Sequence, residues 1–148
     1  MKIYDCFMFF DETMMLEIRL NILNKFIDKF IITESKFSHN GKEKKLNFDI
    51  KKFSEFKSKI EYIIIDKQPK DILQEDADDS VVRKDEKKII NSLKRENFQR
   101  EMLSKGLVGL NQNDLVIISD VDEIPNLNNF KFEEVVDQII IFKQKMFY

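Results

Sequence analysis

The chain has 148 residues, 43% hydrophobic and 35% charged, which describes a globular protein with enough material for one domain's core rather than a disordered segment. Lys and Arg number 25 against 27 Asp and Glu, and the basic residues are scattered, so the footprint of a nucleic-acid binder is excluded. The single cysteine, Cys6, excludes a disulfide framework or a cysteine-rich zinc site, and its apolar surroundings predict a buried thiol.

"MKIYDCFMFF" carries an early acid and lacks a small-residue cleavage site, so it makes a poor signal peptide. No apolar run approaches the roughly 20 residues of a membrane span, and a cytoplasmic location is expected. Residues 2–10 read as a buried strand. Leu16, Leu20, Leu23, Ile27 and Phe30 then recur at spacings of four and three, which predicts an amphipathic helix over 13–28 capped by Asp11 or Thr13. "FIITES" (30–35) is a second strand, followed by a polar loop around Gly41 and a brief helix near 50–58. "KIEYIIID" (59–66) is a third strand.

Residues 67–88 are charge-rich and weakly periodic, so a mobile surface loop is expected over 67–85, with a ligand lid as the alternative. A helix over 86–105 follows, with Gly106 and Gly109 at its exit, and then a strand over 114–119. Alternating strands and helices predict one α/β domain with a largely parallel sheet flanked by helices. In such sheets ligands collect beyond the carboxyl ends of the strands.

One strand ends in "LVIISDVDEIP" (115–125), which places Asp120, Asp122 and Glu123 together. Like charges so close repel unless a cation or donors offset them. A Walker-B acid needs a phosphate-cradling glycine loop, and none of the three glycines begins one. An aspartyl-phosphate phosphatase carries Thr or Val where Ile124 stands and needs a downstream Lys, yet only 26 residues follow Asp122. That leaves the phosphatase reading weak, and the third option is a Mn²⁺ or Mg²⁺ ion shared between alternate carboxylates and a nucleotide diphosphate.

"YDCFMFFDETMMLEIRLNIL" (4–23), "FIITES" (30–35), "KRENFQRE" (94–101) and "DLVIISDVDEIPN" (114–126) together resemble the family-17 glycosyltransferases. That family is typified by the β-1,4-mannosyl-glycoprotein 4-β-N-acetylglucosaminyltransferases. The resemblance implies a GT-A-like nucleotide-sugar-binding fold, a UDP-GlcNAc donor, and inverting transfer to a hydroxyl of a glycan acceptor. Leu93 stands where the family often has an aromatic, and family members extend well beyond "KQKMFY".

Carried over residue by residue, the resemblance makes Asp122 the direct metal ligand. Asp120 becomes a second ligand, reaching the ribose or acting through water. Glu123 is explained equally well as an acid at a helix start. Glu96 and Arg100 share a helix face, either as a surface ion pair or as a guanidinium fork for the diphosphate held by Glu96. Glu34 is a candidate contact to uracil or ribose, and His39 reads as a loop residue. The base for the acceptor hydroxyl is expected beyond Tyr148. A nucleotide-sugar-binding fragment without turnover is the alternative reading.

Overall fold

A computed structural model of the chain describes residues 1–144 and contains a four-stranded sheet. Its strands are β1 (Ile3–Met8), β2 (Lys29–Ser35), β3 (Ile60–Ile65) and β4 (Leu115–Ile118), ordered β3-β2-β1-β4 and parallel throughout. The largely parallel sheet flanked by helices is the architecture expected from the sequence. No helix among the described residues is long and apolar enough to cross a membrane.

The inner strands β1 and β2 are buried on both faces, whereas Val116 and Ile118 on β4 and Ile64 on β3 stay exposed at the edges. On one face Ile3, Phe7, Phe30 and Ile32 pack beneath helix α1 (Thr13–Leu23), joined by Phe53, Phe56, Val121 and Leu127. On the other, Tyr4, Cys6 and Ile31 meet Leu103 from a 3-10 helix over Met102–Leu107. Cys6 is fully buried, and burial, helped by the nearby Asp5 charge, pushes its thiol up to about 12. It is an inert core thiol.

Helix α1 is shorter than its periodicity predicts, ending at Leu23 rather than 28. The chain must turn there, because Asp28 exchanges hydrogen bonds with Ile3 to start the β1–β2 pairing. Lys59 Nζ donates to the freed carbonyls of Asn24 and Ile27. Ile27 and Phe30 are core residues, as their spacing suggested, but they lie outside the helix. Neither Asp11 nor Thr13 caps α1. Glu12 holds the cap position, and its carboxylate turns back to accept from the N–H groups of Phe10 and Asp11. The brief helix near 50–58 is a 3-10 helix over Ile50–Phe56, entered where Asp49 accepts from the Lys51 N–H.

The long helix α2 spans Val81–Glu101, beginning five residues earlier than the charge pattern suggests. Ser80 Oγ accepts from the Arg83 N–H and caps it, so residues 81–85 are helical rather than loop. The segment before it is tied to α2 along its length. Asn91 exchanges two hydrogen bonds with the backbone of Leu73, at 2.8 Å each. Lys87 Nζ reaches Asp76, Asp79 and the Gln74 carbonyl, and Lys94 pairs with Asp71.

These ties carry a pH signature. Hydrogen bonds from Lys87 and Lys94 lower the pKa values of Asp79 and Asp71 below the ordinary 3.8, and the Asp76 and Asp79 bonds raise Lys87 above 10.5. A lowered carboxylate stabilises above its unfolded value and loses that contribution as pH falls through the folded one. The raised lysine loses its contribution as pH climbs past its folded value. The Leu73 amide should therefore show constant protection from about pH 5 to about pH 9, falling in acid below that window. Hydrogen exchange followed by NMR would read it, and Asn91→Ala should remove the protection at every pH.

The second fold prediction concerns Gly106, where an added Cβ would sit 2.6 Å from Ile31 Cγ2, a branch that cannot swing away freely. Gly106→Ala should cost about 1–3 kcal/mol, measurable by urea unfolding.

Candidate functional site

The carboxyl ends of β1, β2 and β4 lie along one edge of the sheet, and the acids following β4 project there. Residues 119–124 form a tight turn, with Glu123 N–H bonded to the Asp120 carbonyl and Ile124 N–H to that of Asp122. Glu123 folds back so that its carboxylate accepts from the Asp120 N–H, which accounts for it as a turn residue; no helix starts there.

What holds this turn is Arg19, the largest fully buried side chain in the protein. The stripe Leu16, Leu20 and Leu23 faces the sheet, and Arg19 falls within it. Its Nε and Nη2 form a bidentate pair with Asp5 at 2.8 and 2.6 Å. Nη1 donates to the carbonyls of Asp120, Val121 and Glu123, and Nη2 also to Ser119 Oγ. The guanidinium carbon lies 4.6 Å over the Phe7 ring. Burial pushes the Asp5 carboxyl up from its ordinary value, against the pull of the Arg19 hydrogen bonds and charge. The carbonyls of the turn are thereby drawn inward, and Asp120 and Asp122 are left at the surface.

Asp120 and Asp122 stand between two clefts. One, of about 390 Å³, is lined by Phe9, Phe10, Met15, His39, Glu96 and Gln99. The other, of about 910 Å³, is bounded by Pro125, Ile140 and Phe142. Gln99 fixes the end of α2 to the sheet edge by donating to the Thr33 carbonyl at 2.9 Å and more weakly to that of Phe9. Arg100, one residue on, bonds Glu96 Oε1 and Asp120 Oδ1 at 3.2 Å each. The structure thus brings together Glu96, Arg100 and Asp120, and Asp122 lines the same two clefts as Asp120.

Glu34 lies at the carboxyl end of β2 but faces inward, with no exposed surface. It accepts from Lys44 Nζ, the N–H groups of Asn47 and Phe48, and Tyr62 Oη. Burial and the Glu34 hydrogen bond together push the Tyr62 phenol up. These four donors account for Glu34 as the anchor of the 36–48 loop, and a ligand contact would require giving one up. His39 sits on that loop, its ring 6.0 Å from Phe10 at the cleft mouth.

No cluster of three or more His, Cys, Asp or Glu side chains among the described residues is arranged to hold a metal. Two hard carboxylates on an open cleft suit instead a Mg²⁺ or Mn²⁺ ion that takes most of its ligands from water and phosphate oxygens. The donor set fits such an ion, provided that Arg100 shares or releases Asp120.

The sequence model of glycosyltransferase family 17 matches residues 1–145. No curated protein and no solved structure matches the chain.

Arg19 was not singled out by sequence reasoning, and it gives the site's own prediction. Arg19→Met leaves Asp5 buried without its counter-charge and should cost about 3–5 kcal/mol in urea unfolding. Adding Asp5→Leu to that variant should recover part of the loss, because no unpaired charge then remains in the core. The Asp120–Glu123 turn should stay loosened in both, seen as lost amide protection at Glu123.

Proposed function

The chain belongs to glycosyltransferase family 17, and from that premise we propose that it moves a sugar from a UDP-sugar, GlcNAc being the sugar the resemblance implies, to a glycan hydroxyl with inversion and with the help of Mn²⁺ or Mg²⁺. The observation that carries this reading is the pair of surface carboxylates on a turn locked from beneath by Arg19, with Arg100 beside them. The parallel sheet is consistent with a GT-A-like nucleotide-sugar-binding fold.

Asp122, exposed and without a hydrogen bond to its carboxylate among the described residues, is the proposed main ligand of the ion. Asp120 is the second, through its other oxygen or through water. Bound there, the ion would take up charge developing on the departing diphosphate. Arg100 is the fork for that diphosphate. It already bridges Glu96 and Asp120, so an incoming phosphate competes for a guanidinium that is in place. Glu96 holds Arg100 beside Asp120. Arg19 holds the turn still, so that the charges need not be organised during reaction.

Calorimetric titration tests this directly. UDP should bind when Mn²⁺ is present and not in its absence. Asp122→Asn should weaken binding at least about tenfold, or 1.4 kcal/mol, and Asp120→Asn by less. Arg100→Gln should weaken UDP while leaving uridine unaffected. The thermal melt of Asp122→Asn should match the parent or lie slightly above it, since one repulsive charge is gone. That of Asp120→Asn, which gives up the Arg100 ion pair, should match it or lie slightly below. Metal-independent UDP binding, or an Asp122→Asn variant that unfolds with its affinity intact, would make the cluster structural.

A further inference from the structure

Beside the inner cleft lies a larger groove of about 730 Å³, between the 39–42 turn, residues 72–75 and the middle of α2, and His39 lines both. Along α2, Lys88, Ser92 and Arg95 line the groove, and Glu96 and Gln99 line the cleft beside Asp120. Spacings of four, three, one and three put these residues on one helix face, which runs for about 17 Å from Lys88 to Gln99.

The groove's chemistry is specific. Its lining holds three cations, Lys42, Lys88 and Arg95, against one carboxylate, Glu75. Lys88 pairs with Asp85, but no carboxylate among the described residues lies within ion-pair distance of Lys42 or Arg95. Arg95 is nonetheless held in place: Nε donates to Gln68 Oε1 at 2.9 Å and Nη1 to the His39 carbonyl at 3.0 Å. Both acceptors are neutral, so the charge is positioned without being cancelled. Nη2 covers Gly41, where an added Cβ would lie 2.4 Å away, and makes no protein hydrogen bond among the described residues. Ile72 and Ile89 supply apolar surface, and Asn40 and Ser92 supply neutral polar groups.

We propose that this groove binds an acidic oligosaccharide, an extended glycan with a carboxylate or phosphate group, and is the subsite holding the remote part of the acceptor. A glycan chain offers apolar ring faces, hydroxyls and, here, an anion, which matches the isoleucines, the Asn and Ser groups and the two uncancelled cations. The groove's continuity with the inner cleft through His39 points to the acceptor. That assignment rests on the transferase reading above, whereas saccharide binding itself does not.

The test is an NMR titration of the full chain with three probes: a glucuronate-bearing oligosaccharide, neutral chitin oligosaccharide of the same length, and a single-stranded oligonucleotide of similar charge. The acidic saccharide should shift His39, Gly41 and Ser92 saturably, and the other two should bind at least about tenfold more weakly. Lys42→Gln and Arg95→Gln should each weaken the acidic saccharide several-fold and leave Mn²⁺-dependent UDP binding unchanged. The Lys42 side chain makes no hydrogen bond among the described residues, so its variant keeps the fold even if Arg95→Gln disturbs the Gly41 turn. Equal binding of the neutral saccharide overturns the charge argument, equal binding of the oligonucleotide overturns carbohydrate recognition, and no binding overturns the site. Intact UDP binding alongside any of these would leave the donor reading standing. Absence of UDP binding with saccharide binding retained would fail the donor reading and with it the acceptor assignment, and leave the saccharide site standing.

Discussion

A single buried guanidinium ties together three elements of this protein that are far apart in the chain. Arg19 belongs to α1, its ionic partner Asp5 lies on the central strand β1, and its remaining donors reach the turn after β4. An arginine taken out of water is tolerable only when its charge and its N–H groups are both satisfied. Here the carboxylate supplies the charge, and Ser119 and three carbonyls accept the remaining hydrogen bonds. The requirement is mutual: the turn keeps its shape because its carbonyls are claimed from inside, and its two aspartate side chains stand at the surface for the same reason, Asp120 paired with Arg100.

The rest of the site is assembled around that fixed turn from elements with quite different degrees of anchorage. Gln99 secures the end of α2 to the sheet, which brings Arg100 to Asp120. Glu34 secures the 36–48 loop, which brings His39 to the cleft mouth. In both cases a buried or half-buried polar side chain sets where a more exposed one stands. Family membership supports sugar transfer in general, and the arrangement of these side chains supplies the reasons to propose particular roles.

The sheet was legible in the sequence because four short apolar runs separated by polar stretches have few other solutions. The position of Asp120 and Asp122 at the sheet's carboxyl edge was legible because they follow one of those runs. Arg19 was legible in principle and was missed: it sits between Leu16 and Leu20 on the buried stripe of α1, and Asp5 is the one acid inside the apolar run of β1. A charge within an apolar stripe at each of two neighbouring elements is the signal for a buried pair, but the usual exposure of Arg and Asp hides it. The start of α2 was obscured differently. Val81 and Val82 are exposed in a charge-rich stretch, so no apolar face marks the first turn, and only Ser80 as a cap signals it. Asn91 and Lys87 were equally silent, since their partners lie in a segment with no periodicity to place it.

The sheet order also has a consequence for how the chain reaches this state. β1 is an inner strand, yet one of its neighbours is β2 and the other is β4, which begins more than a hundred residues later. During synthesis β1, α1 and β2 can associate early, and Asp5 and Arg19 can meet within that unit. Until residues 115–123 arrive, one side of β1 lacks its ladder partner and Arg19 lacks the carbonyls that complete its shell. Such long-range closure slows folding and leaves an open edge in the meantime. The turn that bears the two aspartates therefore forms only once β4 has paired with β1, and residues as far along as Leu127 must still join the core after it.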